Sequence, residues 1–153
     1  MNAPDLRNLP PQSIEAEQGL LGAILASGGN VIDRIEGTVS ASDFYRADHR
    51  LIFSAGKALH DAGKAVDVVT VIDALTARGE AERAGGLAYL GELGNGGFVA
   101  GNARQYAATI RERAILRGLQ QISADTLDAC ACPAGRTPTQ IAAEAEAGML
   151  SLL

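Results

Sequence analysis

The sequence predicts an all-α protein: a compact helical head, a long helix, and an antiparallel two-helix hairpin. Three observations carry this. Residues 102–131 hold no proline and run until Cys132-Pro133 stops them, about thirty residues or roughly 45 Å of helix. The apolar side of that stretch switches midway. At about 100° per residue, Ala103, Tyr106, Ala107, Ile110 and Ala114 share one side, whereas Leu116, Leu119, Ile122, Leu127 and Cys130 share another roughly half a turn away. A helix of this kind packs on one body with its first half and on a second body with its second. Finally, the β-branched run at residues 66–72 has no second run of its kind to pair with as a strand.

Composition narrows the function. At 153 residues and 47% hydrophobic, the chain has enough apolar material for one domain with a real core. No run is long enough to span a membrane, and residues 1–12 lack the basic start and apolar stretch of a signal peptide, so a soluble cytoplasmic protein is expected. Acidic residues outnumber basic ones 18 to 13 with no basic run, which speaks against nucleic acid as the main partner. Aromatics at 4% do not make a base-stacking platform. Cys130 and Cys132 sit two apart, with only His49 and His60 to join them, and read as small residues near a helix end rather than a zinc site or disulfide.

The elements follow from caps and stops. Residues 1–12, with Pro4, Pro10 and Pro11, read as a flexible arm. Ser13 caps a first helix carrying Ile14, Leu21, Ile24 and Leu25, with Glu15 and Glu17 in its first turn and Gly28-Gly29 closing it. Asn30 is expected to cap a short helix through Ile35, ending at Gly37. Residues 42–45 form a turn, and a helix from Ala47 buries Leu51, Ile52, Ala55, Leu59 and Ala62 before Gly63. Asp67 caps a helix over residues 68–78 despite its β-branched content. Residues 86–94 make a short helix with Leu87, Leu90 and Leu93, and Asn95-Gly96-Gly97 makes a loop. Asn102 is the expected cap of the long helix. Thr137, with Pro138 at the first position and Gln140 completing a Thr-x-x-Gln box, caps the last helix, which carries Ile141, Ala145, Met149 and Leu152. The short loop at residues 132–137 makes the final pair antiparallel. The resulting organisation is an arm at 1–12, a head at 13–115 and a hairpin at 116–153.

No catalytic constellation emerges. A phosphate-binding loop is absent, because Gly94-Asn95-Gly96-Gly97 lacks the lysine. Asp48-His49 beside Tyr45 lacks a nucleophile and a third orienting group, so His49 reads as a helix-start residue bonded to its own turn, and His60 as part of a solvated helix end. Arg111, Glu112, Arg113 and Arg117 cluster where the apolar side switches. They read as a solvated flank or as arginine–carboxylate pairs at a head–hairpin or intersubunit junction.

Residues 10–18, Pro-Pro-Gln-Ser-Ile-Glu-Ala-Glu-Gln, followed by Leu21-Gly22, resemble the opening of the amino-terminal domain of DnaB-type replicative DNA helicases. Asp43-Phe44-Tyr45 with His49-Arg50 and Ile52-Phe53 is similar to a second signature, and residues 85–90 with Leu93 to a third. Asn102, Tyr106-Ala107, Ile110, Arg113 and Arg117 are similar to the family's long helix, so the likeness runs from about residue 10 to the end. The Asn95-Gly96-Gly97 loop departs from it, since relatives carry more Ser, Thr and Pro there. The resemblance implies a hexameric collar, a trimer of dimers, that stabilises the helicase ring, docks the carboxy-terminal domain of primase and in some lineages meets a helicase loader. It also implies that ATP and Mg are bound by a separate RecA-like motor, so this fragment is expected to have no cofactor, no metal and no enzymatic activity of its own.

The face switch and the resemblance assign oligomer contacts to Leu116, Leu119, Ile122, Leu127, Ile141, Ala145 and Met149, some of which must instead close the hairpin. Primase contacts are assigned to the region of the hairpin tip and its polar flanks, including Asp128, Arg136 and Thr137. The alternative is a small helical nucleic-acid-binding regulator, which lacks a basic recognition helix because residues 68–78 offer only Arg78.

Overall fold

The computed structural model describes residues 9–153; residues 1–8, most of the expected arm, lie outside the described residues. Among the described residues the chain forms α1 (Ile14–Ser27), α2 (Gly29–Ile35), α3 (Ala47–Asp61), α4 (Val68–Ala77), α5 (Gly86–Gly94), α6 (Ala103–Ala131) and α7 (Pro138–Ser151), with 3-10 turns at Ala41–Asp43 and Ala100–Asn102. The all-α expectation holds, and no described helix is long and apolar enough to cross a membrane.

Local chemistry sets these boundaries. The Ser13 hydroxyl accepts the Ala16 N–H and opens α1. Gly28, at φ 72°, both ends α1 and occupies the cap position of α2, so Asn30 lies inside the second helix instead of capping it. In α4 the Asp67 carboxylate accepts the Thr70 N–H and the Thr70 hydroxyl accepts the Asp67 N–H. That reciprocal cap, with Val71 and Leu75 buried, outweighs the β preference of the valines. Asn102 closes a 3-10 turn and directly precedes α6, which begins at Ala103 as a cap at Asn102 predicts. From there α6 runs 29 residues without a break. Thr137, Pro138 and Gln140 open α7 as expected.

The chain divides into two compact units. Residues 12–112 form the larger one, and residues 113–153 with the described residues 9–11 form the smaller, so α6 contributes to both. In the larger unit α1 runs through the middle, with Leu20, Leu21, Ala23, Ile24 and Leu25 buried. Around it pack Ile32, Phe44, Ile52, Leu75 and Leu90, and the Phe44 and Phe53 rings meet at 5.0 Å. Ala103, Ala107 and Ile110 of α6 complete this core, with Tyr106 packed against it. Of the expected α3 stripe, Ile52 and Ala55 are buried, Leu51 and Leu59 are half-buried, and Ala62 is exposed where the helix ends.

In the smaller unit Gly118 faces Leu152 and Ile122 faces Gly148, a descending register that makes the two helices antiparallel. Ala129 and Ile141 are its buried apolar residues among those described.

The tightest point of the larger unit is Gly22. A Cβ there would run into the Phe98 ring and come within 2.6 Å of the Leu93 carbonyl oxygen, which as backbone cannot swing aside. Gly22→Ala is expected to lower stability by about 1–3 kcal/mol, read as a drop in the thermal midpoint; an unchanged midpoint would mean that α5 and the following loop yield freely.

Candidate functional site

The larger unit holds one buried acid–base cluster that the sequence reading had scattered. Glu17, His49 and Tyr89 come from α1, α3 and α5 and meet in the core, with Glu17 1% and His49 0% exposed. His49 Nδ1–H donates to Glu17 Oε1 at 2.8 Å, and the Tyr89 hydroxyl donates to His49 Nε2 at 2.6 Å, the tautomer assigned by the network. The Gln18 amide donates to the Tyr89 oxygen at 3.3 Å. Glu17 also accepts the backbone N–H of Tyr45 at 2.8 Å and of Arg46 at 3.4 Å, just ahead of α3. Arg46 lies over the Tyr89 ring at 5.3 Å, and its hydrogen bond to Asp48 raises its pKa above the ordinary value.

The His49 ring is therefore bonded not to its own turn but to Glu17 and Tyr89, and Glu17, in the first turn of α1 as expected, is buried. Each of the two side chains lies on the apolar face of its helix. Glu17 shares a stripe with Leu21 and Ile24, and His49 with Ile52 and Phe53. That placement was the signal available in the sequence. Both imidazole nitrogens are engaged and the ring is sealed from solvent, so the cluster joins three helices and offers no reacting group to a substrate.

Several other charged groups also find partners. His60 Nε2, at the solvated end of α3, lies 2.7 Å from Asp33 and links α3 to α2. Arg111 pairs with Asp43 at 3.0 Å within the larger unit, and Arg117 donates to the Pro11 carbonyl at 2.7 Å. Of the arginines clustered where the apolar side switches, Arg111 thus makes an arginine–carboxylate pair and Arg117 a carbonyl contact. Cys130 and Cys132 are exposed free thiols. Among the described residues no three His, Cys, Asp or Glu side chains are grouped to hold a metal.

The remaining candidate is the hairpin. Counting about 100° per residue from Ile122, the line facing α7 is Gly118, Ile122, Thr126 and Ala129. Leu119, Leu116 and Leu127 lie roughly 60–140° to one side, and Asp125, Cys132 and Asp128 roughly 60–120° to the other. Met149 of α7 falls on the leucine flank and Glu144 on the acidic one. The expected oligomer set is thus divided. Ile122, Ile141 and Ala145 line the space between the two helices, while Leu116, Leu119, Leu127 and Met149 are exposed, Leu127 at 72%.

On the acidic flank an open cleft of about 600 Å³ is floored by Ile122, Ala129, Ile141 and Ala145 and edged by Asp125, Asp128 and Glu144. Of the expected docking residues, Asp128 and Arg136 line this cleft, and Thr137 is engaged in capping α7. Arg136 donates to Glu144 at 2.7 Å and to the Pro133 carbonyl at 3.1 Å.

Glu17→Ala is expected to cost at least about 3 kcal/mol, since it leaves buried donors from Tyr45 and His49 unpaired at about 1–3 kcal/mol each, whereas Tyr89→Phe should cost about 1 kcal/mol. Chemical denaturation of the two variants checks this ordering, and equal losses would show that the cluster is not centred on the carboxylate.

Comparison with known proteins agrees with this architecture. Residues 9–112 match the family described as DnaB-like helicase N terminal domain. The replicative DNA helicase DnaB of Pasteurella multocida is 39% identical over 138 residues, 90% of this chain and 29% of the relative. The chain thus spans about 30% of the length of the curated relatives it matches. The crystal structure of the N-terminal domain of DnaB helicase from Mycobacterium tuberculosis superposes with a TM-score of 0.86 at 33% identity, covering 94% of this chain and 99% of that one. A second structure, described as a DnaB-like replicative helicase and its interactions with primase, shares the fold with a TM-score of 0.75 at 22% identity, over 92% of this chain and 32% of its own. With a match across most of its length and an all-helical structure of the same fold, the chain belongs to the family of DnaB-like helicase N-terminal domains.

Proposed function

We propose that this domain is the assembly and docking module of a replicative DNA helicase, with the head (residues 13–115) as scaffold and the hairpin (residues 116–153) as the contact element. The observation that carries this reading is the row of exposed apolar side chains, Leu116, Leu119, Leu127 and Met149, on one flank of the hairpin. A row of this kind on so small a helical pair calls for a cover, and a second copy of the chain supplies one. Dimers formed in this way would build the hexameric collar as a trimer of dimers. Primase would dock at the hairpin tip through Asp128, Arg136 and the segment at Thr137, in keeping with a structural neighbour described together with its primase interactions. A helicase loader is a further partner of the same collar in this reading.

The parent protein would unwind DNA with ATP and Mg bound in a separate motor. This domain would make little direct contact with nucleic acid, in line with its net charge of -5. It would work in the cytoplasm.

Sedimentation equilibrium of the chain should show dimers or larger species. Leu127→Asp should weaken association by about a hundredfold, since burying a leucine is worth about 1.5–3 kcal/mol and an aspartate there adds a desolvation cost. An assembly unchanged by both Leu127→Asp and Leu119→Asp would refute the leucine flank as the contact. For docking, a pull-down with the carboxy-terminal domain of the cognate primase should lose at least about tenfold in affinity for Asp128→Lys, and full retention would move the primase site off the tip.

A further inference from the structure

The hairpin has two unlike flanks, and the assembly reading uses only the leucine one. We infer that the cleft on the acidic flank receives a basic amphipathic helix from a partner protein, an inference that rests on the docking reading above and specifies its chemistry.

Two features of the cleft point to such an occupant. Its floor combines two branched side chains, Ile122 and Ile141, with the small Ala129, Ala145 and Gly148. Small residues let a third helix approach closely, and the branched ones give its apolar stripe something to pack on. The edge is unbalanced in charge. Glu144 is matched by Arg136 at 2.7 Å, but Asp125 is met by the neutral Gln121 amide at 2.8 Å. Asp125 and Asp128 therefore leave about two negative charges on the α6 side of the cleft.

The position of those charges on α6 is an independent observation. They lie in its last two turns, the negative end of the helix dipole, and α6 carries no basic residue in its last turn. Acidic side chains at that end repel the carbonyls beside them unless a cation joins them. A lysine or arginine row on an incoming helix, at three- and four-residue spacing, matches Asp125 and Asp128 one turn apart. An acidic helix would meet repulsion along the same edge, and an uncharged one would leave the carboxylates uncompensated.

The test uses the whole chain and two fluorescein-labelled helical peptides of equal length. Each carries the same leucine–alanine stripe, one with lysine and the other with glutamate at the remaining positions. Fluorescence anisotropy should show the lysine peptide binding at least about tenfold tighter, with affinity falling as salt rises from about 0.05 to about 0.2 M. Asp125→Asn with Asp128→Asn should weaken the lysine peptide by about fivefold to tenfold. Glu82→Gln with Glu92→Gln makes the same charge change on exposed positions of the larger unit and should alter binding by less than about twofold.

Equal losses in the two double variants would mean a general attraction to an acidic protein and overturn the inference, as would equal affinity for the two peptides. The aspartate variant should keep its helicity by circular dichroism, because removing those charges relieves the helix end. Binding of the primase domain without binding of the lysine peptide overturns this inference and leaves the docking reading standing. The reverse pattern overturns the primase reading alone.

Discussion

The larger unit depends on a single carboxylate. Glu17 accepts hydrogen bonds from the backbone just ahead of α3 and from His49 within it, and His49 passes the connection to Tyr89 of α5. A carboxylate in an apolar core is expensive unless its oxygens are filled, and here several donors converge on it. The same donors would be orphaned without it, so three helices are held in one relative placement by groups that need each other. The surrounding aliphatic residues could pack in several ways; the cluster selects one of them. Among the described residues no buried side-chain nitrogen or oxygen lacks a partner, which shows how completely that demand is met.

Most of the fold was legible from the chain because its punctuation is strong. Ser13, Asp67 and Thr137 cap helices through their side chains, and α5 occupies the residues its leucines and glycines predict. One cap was misplaced, at Asn30. Gly28 took the cap position there, whereas Asn102 both closes a 3-10 turn and directly precedes α6. Asparagine suits both a cap and a turn, so identity alone cannot choose between them. The buried cluster was missed for a different reason. Residues 17, 49 and 89 are far apart in sequence, and periodicity can place each on an apolar face without showing that the faces meet.

The hairpin was legible as a hairpin, but the division of its surface was not. Leucines dominate any count of apolar positions, and they pointed to the exposed flank. The line that closes the pair is built from Gly118, Ile122, Thr126 and Ala129, three of which add little to a hydrophobic pattern. Close approach of two helices favours small residues, so the interior of such a pair is quieter in sequence than its outside. The result is an element whose inner face holds it together weakly and whose outer flanks, one apolar and one acidic, are free to differ.

That thin interior changes what stability means for the smaller unit. Ala129 and Ile141 are buried there, while the leucines that would strengthen it face outward. Under the assembly proposed above, folding and association are linked equilibria, and a ligand that binds only the formed helices draws the population toward them by mass action. In that assembly the melting temperature of this segment would depend on concentration as much as on sequence, rising with each tenfold increase in chain or partner. Dilution would loosen residues 113–153 while residues 12–112, with their own aliphatic core, stayed folded.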